Sequence, residues 1–144
     1  MLQGMEVDRN GLEVLDRTEC LRLLALTTIG RIGFTSGALP TVLPMNFHLS
    51  GDRILVRTGR GSKLDAALQN AVVAFEADDF DPIYHSGWSV SVTGVAAVIT
   101  DPTELDEAFE LPIARWAPVG EEAVLAISTE FVSGRRLTTP RLRR

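Results

Sequence analysis

Short apolar runs, several of them alternating with polar residues, recur along the chain between turns rich in glycine and aspartate. This pattern is typical of β-strands joined by tight connections. Pro44 interrupts one run and cannot donate to a strand ladder, so we expect that strand at a sheet edge or facing a ligand. Gly94 in another run indicates a bulge or a close backbone approach. The pattern predicts six strands, at residues 31–35, 41–49, 53–57, 71–77, 88–99 and 124–132.

Helical signals are fewer, and the helices they predict are short. Asp16, with Glu19 three residues later, predicts the start of a helix that ends before Thr27. The pair Asp101–Pro102 predicts a second helix start, because proline suits the first helical position. A further short helix is expected over residues 63–70.

The connections between these elements indicate the fold class. The acidic segment at residues 78–86 contains a proline and is predicted to be a loop. Tight turns favour antiparallel pairing, and closure into a barrel would leave no exposed edge. Strands do not alternate regularly with helices, which argues against a doubly wound parallel sheet. We therefore predict a mainly β protein, a six-stranded antiparallel barrel with a few short helices, in a single domain over residues 1–144.

Composition and net charge argue against some classes of function. The chain has 144 residues, of which 45% are hydrophobic and 23% charged, and this suits one soluble domain with its own core. The net charge of −5 argues against general nucleic-acid binding. The sequence shows no secretory signal and no apolar run of about 20 residues, so we expect a cytoplasmic protein without membrane contact. The basic tail at residues 138–144 is expected to be solvated.

The sequence lacks the usual catalytic and metal-binding patterns. The two histidines, His48 and His85, and the one cysteine, Cys20, have no metal-ligand spacing. Haem ligation by a lone histidine is therefore not favoured. The serines form no G-x-S-x-G elbow, and Cys20 is expected to be buried and unreactive. We predict no catalytic side chain and no metal site.

The stretch from Arg57 to Lys63 carries the clearest functional signal. It combines two glycines, two hydroxyls and three basic residues between a predicted strand and a predicted helix. Glycine lets a backbone approach a ligand closely, and N–H groups at a helix start attract anions. The spacing fits neither a P-loop nor a dinucleotide-binding turn, and a plain connection with a serine cap stays open. The favoured interpretation is a phosphate cradle, whose candidate ligands are Arg57, Thr58, Gly61, Ser62 and Lys63.

Five segments, taken in order, resemble the pyridoxamine 5′-phosphate oxidase-like superfamily, and most closely its small nitroimidazole-reductase-like branch. The segments are Gly30–Phe34, Pro44–Phe47, Arg57–Lys63, Gly87–Gly94 and Ser133–Arg136. The resemblance spans roughly residues 11–137. It implies a split β-barrel of the FMN-binding type, in a homodimer that holds FMN at the subunit interface.

The resemblance also implies roles for particular residues. The loop from Thr58 to Lys63 would hold the FMN phosphate, and Trp88 would lie near the flavin of the partner subunit. The isoalloxazine ring would be lined by Pro44, Met45 and Asn46. True pyridoxamine phosphate oxidases carry an Arg-x-x-x-x-Lys strand before the flavin and a later aromatic segment. This chain has neither, since no basic residue lies in 41–46 and no tryptophan follows Trp116, so vitamin B6 oxidation is not expected.

These features predict an FMN-dependent oxidoreductase that acts on a small molecule, with the flavin carrying the redox chemistry. Three alternatives stay open. The same fold could hold the deazaflavin F420 and act as a reductase. It could bind FMN or haem without turnover, or it could act without a cofactor through its dimer contacts.

Overall fold

The computed structural model describes residues 5–113 and 121–138 of the chain. In these two ranges the helices are α1 (Arg17–Leu24), α2 (Lys63–Leu68) and α3 (Pro102–Glu110). The strands are β1 (Glu13–Leu15), β2 (Ile29–Ser36), β3 (Leu39–Asn46), β4 (His48–Ser50), β5 (Arg53–Gly59), β6 (Val72–Asp81), β7 (Ser86–Val98), β8 (Glu122–Ser128) and β9 (Phe131–Leu137). Trp116 and the predicted basic tail beyond residue 138 lie outside the described residues.

The strands form one continuous antiparallel path in the order β3-β2-β6-β7-β8-β5-β4, with β9 pairing β7 and β1 beside it. β7 is long enough to pair in both halves of the barrel. One half contains β1, β2, β3, β6 and β9, and the other contains β4, β5 and β8. The β7 segment Gly87–Thr93 pairs with β9, and its segment Ala96–Val98 pairs with β8. The two ends of the path, β3 and β4, are separated in the chain only by Phe47. The sheet therefore curls into a barrel whose ends are joined by one bent segment.

The close approach predicted at Gly94 is confirmed where β7 changes partner from β9 to β8. A Cβ atom at this position would lie 1.8 Å from the backbone oxygen of Ser128. The backbone N–H of Val95 donates to the hydroxyl of Ser128 at 2.9 Å. This backbone-to-backbone packing joins the two halves of the barrel, and it leaves no room for a side chain.

One large apolar cluster fills the barrel. The rings of Phe47 and Phe75 meet edge to face within it, with centroids 4.9 Å apart, and both side chains are almost fully buried. Burial of apolar surface on this scale is the main favourable term in folding. A second, smaller cluster attaches α3 to β5 and β8, and its buried members are Leu55, Ile99, Ala108, Ile113, Val124 and Ala126.

Each helix begins at a capping side chain. Asp16, Ser62 and Asp101 accept hydrogen bonds from the backbone N–H three residues later, at 2.8, 3.0 and 2.9 Å. Such caps satisfy backbone donors that have no partner in the first turn. The helix starts predicted at Asp16 and Asp101 are confirmed, and α2 ends at Leu68, two residues before the predicted end.

The mainly β, antiparallel fold class is confirmed, but the described residues form nine strands rather than the predicted six. The predicted strand 41–49 is divided at Phe47, whose N–H donates to the carbonyl oxygen of Thr28 at 2.9 Å. The predicted strand 124–132 is divided into β8 and β9 at Thr129, whose hydroxyl donates to the carbonyl oxygen of Asp52 at 2.5 Å. β1 has three residues, too few for an alternating pattern to be visible.

The acidic segment at residues 78–86 is largely strand, so the predicted loop is wrong there. β6 continues to Asp81 and β7 begins at Ser86, and the two strands form a hairpin. The guanidinium of Arg31 on β2 lies 3.2 Å from the carboxylate of Asp78. This ion pair neutralises part of the negative charge of the segment. The sequence pattern could not indicate it, because Arg31 lies far from Asp78 in the sequence.

Candidate functional site

The loop between β5 and α2 has a fixed backbone shape. β5 continues to Gly59, so the turn is confined to residues 60–62. Gly61 has a φ of +73°, the left-handed region that favours glycine. The N–H of Arg60 donates to the carbonyl oxygen of Glu121 at 2.8 Å, which ties the loop to the segment before β8.

A buried carboxylate lies under this loop. Asp65 is 2% exposed. Its Oδ2 accepts hydrogen bonds from the N–H of Gly61 at 2.9 Å and from Nε2 of Gln69 at 3.1 Å. Its Oδ1 lies 3.3 Å from the hydroxyl of Thr58, which is also buried. Two of the predicted phosphate ligands, Thr58 and Gly61, therefore direct donors at an internal carboxylate.

Sequence reasoning did not single out Asp65. The signal that could have found it is the spacing Ser62-x-x-Asp65, a form of the capping box in which the third helical residue reaches back toward the cap. In the usual capping box this side chain accepts from the N–H of the cap residue itself. In this chain it reaches one residue further, to Gly61.

Three side chains of the loop remain open to a ligand. Lys63 is exposed, and Ser62 is half-buried. Arg60 is also exposed, and its guanidinium lies 3.7 Å from the carboxylate of Glu121. The loop thus offers two accessible cations and one hydroxyl on a backbone that hydrogen bonds hold in place.

Arg57 lies on the face of β5 opposite to Thr58, because successive side chains of a strand point to opposite faces. Its guanidinium forms an ion pair with Glu122 and donates to the carbonyl oxygen of Ile113 at 2.9 Å. It also lies over the ring of Phe109, 5.3 Å from the centroid. The structure therefore does not bring Arg57 together with Ser62 and Lys63, and it uses Arg57 to attach the end of α3 to β5 and β8.

The three residues predicted to line a ring lie on β3. β3 is at one end of the strand path, so the predicted edge position of the strand that contains Pro44 is confirmed. Pro44 is exposed, Asn46 is half-buried, and Met45 points into the core at 5% exposure. The paired strand β2 contacts α2, which also contacts β5. β3 and α2 thus both contact β2.

A cluster of charged residues lies in register with Pro44. Pro44 is opposite Arg31 on β2, and Arg31 is opposite Glu76 on β6. Nη1 of Arg31 lies 2.9 Å from Glu76 and 3.2 Å from Asp78. Burial and the neighbouring carboxylate of Asp78 raise the pKa of Glu76 from 4.5 to about 7, although Arg31 opposes the shift. Arg31, Glu76 and Asp78 border a surface cavity of about 270 Å³, which Gly33 also lines. Sequence reasoning missed this cluster.

The remaining predicted residue, Trp88, is half-buried on β7 and packs against the main core. It lies opposite Asp79 on β6 and opposite Arg136 on β9. A second surface cavity borders it at the hairpin of β6 and β7, where Phe80 is exposed. Trp88 is therefore on a different strand from the loop and from the β3 residues.

The histidines lie apart from one another. His48 is half-buried on β4, and His85 is exposed in the β6–β7 turn. Across residues 5–113 and 121–138, no group of three or more potential metal-ligating side chains comes together. Within the same residues, no helix is long and apolar enough to cross a membrane.

Comparison with known sequences supports the resemblance to the oxidase family. The family described as "Pyridoxamine 5'-phosphate oxidase" matches residues 16–136. The chain is 38% identical over 128 residues to the uncharacterized protein Rv0080 of Mycobacterium tuberculosis, an alignment that covers 85% of this chain and 84% of that one.

Solved structures share the fold. The FAD binding protein from Mycobacterium smegmatis is 34% identical, with a TM-score of 0.75, and the match covers 87% of this chain and 97% of that one. A FAD-binding protein from Mesorhizobium loti is 20% identical, with a TM-score of 0.67 and coverage of 88% and 99%. At that lower identity the similarity shows the fold alone.

Proposed function

Because the chain belongs to the pyridoxamine 5′-phosphate oxidase-like family, we propose that it binds a flavin nucleotide, FMN, and acts as a flavin-dependent oxidoreductase on a small molecule. The observation that carries the proposal is the β5–α2 loop, which presents the exposed Lys63 beside the Ser62 hydroxyl on a hydrogen-bonded backbone. The similarity to the FAD binding protein from M. smegmatis supports a flavin as the ligand. FAD and FMN share the 5′-phosphate that such a loop would bind.

In this proposal Lys63 and Ser62 hold the phosphate. Lys63 is the only lysine in the chain, and an ammonium group gives a charge-assisted hydrogen bond to phosphate. The Ser62 oxygen accepts from the N–H of Asp65, which leaves its own proton for a ligand oxygen. Thr58 and Gly61 contribute by holding the shape of the loop, since both donate to Asp65.

The isoalloxazine ring is assigned to the exposed side of β3. Pro44 provides an apolar surface there, and the amide of Asn46 can hydrogen-bond the edge of a ring and tune its electronics. Met45 packs beneath them in the core. A bound flavin supplies hydride or electron transfer. Pro44 and Asn46 would bind the ring and orient it.

An exposed apolar surface supports a homodimer with the cofactor at its interface. Val42, Ala74 and Phe131 lie in one row across the outer face of the sheet, linked in register through Gly33 and Thr93. Val42 and Phe131 are 67% and 70% exposed. Side chains directly opposite on paired strands share a face. A second copy covering this face would bury it, and Trp88 of the partner subunit would then lie near the flavin. We further propose a cytoplasmic location.

Titration of the purified protein with FMN tests the loop. Lys63→Ala is expected to weaken FMN binding by about tenfold or more, since a charge-assisted hydrogen bond contributes about 1.5–3 kcal/mol. Adding Ser62→Ala should weaken it further. Arg22→Ala, which removes an exposed cation on α1, is the matched control. Unchanged affinity in the double variant would mean that the loop is a structural turn only.

Parallel titrations with FAD and F420 identify the cofactor. Tight binding of F420 without binding of FMN would identify F420 as the cofactor. The assignment of the loop as the phosphate site would then stand. The oxidoreductase activity is tested by reducing the bound flavin with a nicotinamide donor and reoxidising it with an aromatic or nitro acceptor. Failure of turnover with every donor would reduce the proposal to flavin binding.

A further inference from the structure

Asp65 is the one charged residue among the buried polar side chains of the described chain. It lies beneath the loop to which the proposed function assigns the flavin phosphate. A negative charge near a phosphate site opposes anion binding. Its presence there requires an explanation beyond capping, because the capping bond of α2 is made by the Ser62 oxygen and not by the Asp65 carboxylate.

The hydrogen bonds of Asp65 connect it to three neighbouring elements. The carboxylate accepts from the loop at Gly61, from β5 at Thr58 and from the end of α2 at Gln69. The Asp65 N–H donates to Ser62. One side chain thus connects the strand, the turn and the helix that together present Ser62 and Lys63. Burial strengthens such bonds, because little water competes for the donors.

We propose that Asp65 is a positioning residue, which fixes the anion-binding shape of the β5–α2 loop through its hydrogen bonds and not through its charge. The inference rests on the proposed function for the identity of the ligand. Without the carboxylate, the N–H of Gly61 and the hydroxyl of Thr58 lose their acceptor. The loop then samples other shapes, and Ser62 and Lys63 must be ordered when the phosphate binds.

Asparagine at this position separates hydrogen bonding from charge. Its carbonyl oxygen can accept from Gly61 as the carboxylate does. Its NH₂ group, in the place of Oδ1, can donate to the Thr58 oxygen, and Nε2 of Gln69 continues to donate to the carbonyl oxygen in the place of Oδ2. Asp65→Asn therefore keeps the bonds and removes the charge, whereas Asp65→Ala removes both.

The first measurement needs no ligand. Amide hydrogen exchange at Gly61 is compared in the wild-type protein, Asp65→Asn and Asp65→Ala. We expect exchange about tenfold faster or more in Asp65→Ala and within about threefold of wild type in Asp65→Asn. Equal exchange in all three proteins would overturn the inference, whether or not the protein binds a flavin.

The second measurement compares FMN with riboflavin, which lacks the phosphate. Asp65→Ala should weaken FMN binding by about tenfold while changing riboflavin binding by less than about threefold, and Asp65→Asn should retain the FMN preference. Equal weakening in both variants, or an unchanged preference for FMN in Asp65→Ala, would overturn the positioning role. Wild-type protein that binds neither compound would overturn the proposed function, and Gly61 exchange would then decide the role of Asp65 by itself.

Asp65→Ala removes the acceptor of three donors and can fail to fold. In that case Thr58→Val is measured instead of Asp65→Ala, since this near-isosteric change removes only one of the donors to Asp65. A smaller shift of the FMN-to-riboflavin preference in the same direction supports the inference. An unchanged preference in a folded Thr58→Val protein contradicts it.

Discussion

The raised pKa of Glu76 makes the stability of the fold depend on pH in a direction unusual for a carboxyl group. Glu76→Gln removes the titrating group while keeping the shape of the side chain. Burial and the neighbouring Asp78 raise the pKa of Glu76 from 4.5 to about 7. A shift of this size in a fully buried group would correspond to about 3 kcal/mol, at about 1.4 kcal/mol per pKa unit. The Glu76 side chain is 33% exposed, so solvent screening reduces the expected effect to about 1–2 kcal/mol.

The sign follows from which state holds the proton. Below about pH 4.5 the carboxyl group is protonated in both the folded and the unfolded chain, and its contribution is fully present. Between pH 4.5 and about 7 the folded state keeps the proton that the unfolded state has released. The free energy of unfolding contributed by Glu76 therefore falls as pH rises through this range. Most surface carboxyl groups paired with arginine behave in the opposite way.

Urea unfolding of the wild-type protein and of Glu76→Gln, at several pH values from about 5 to about 8.5, measures this contribution. The difference in unfolding free energy between the two proteins should shift by about 1–2 kcal/mol against the wild type as pH rises. Contributions of groups that do not interact with Glu76 cancel in the difference. The interaction with Arg31 is already included in the raised pKa, so it adds no separate pH dependence. A difference that is independent of pH, or that grows in favour of the wild type, would refute the reasoning.

Two further pairs of substitutions test how the fold supports the site. Gly94→Ala places a methyl group 1.8 Å from the Ser128 oxygen and should cost about 3 kcal/mol or more in urea unfolding, whereas Gly33→Ala, where the nearest atom is at 3.5 Å, should change stability by less than about 1 kcal/mol. Equal effects would mean that the barrel junction can relax. Arg57→Met should cost about 2–4 kcal/mol by removing the ion pair that Arg57 makes with Glu122, with part recovered by adding Glu122→Gln. FMN affinity lost to the same extent as in Lys63→Ala would instead make Arg57 a ligand of the phosphate.

Local features of the fold could be predicted from sequence because their causes are local. The Asp16 cap and the edge position of the strand with Pro44 follow from residues a few positions apart, and both agree with the structure. The break at Phe47 could not be predicted, because no glycine lies beside Phe47 and residues 41–49 fit one extended strand. Its cause is the hydrogen bond to Thr28 and the pairing of the two halves with different strands.

The difference between local and distant causes also explains which features of the candidate site could be predicted. The residue types of the β5–α2 loop were visible in the sequence, but the direction of each side chain depends on distant partners. Arg57 is directed to Phe109 and Glu122, which follow much later in the chain. The Arg31–Glu76 pair joins two strands that only the sheet brings together. Charge can be read along a sequence, whereas the partner that neutralises it depends on the tertiary fold.

Both parts of the candidate site lie where the chain passes between the two halves of the barrel. It passes once through Phe47, from β3 to β4, and again through the loop and α2, from β5 to β6. Inside a sheet the backbone donors are used by neighbouring strands, so open polar groups are expected at such crossings. At the second crossing, however, Asp65 takes the N–H of Gly61. The side chains of Arg60, Ser62 and Lys63 remain accessible to an anion at this crossing. Substitutions at Lys63 should therefore change ligand affinity with little effect on the barrel, whereas Asp65→Ala, which removes the acceptor, should change both.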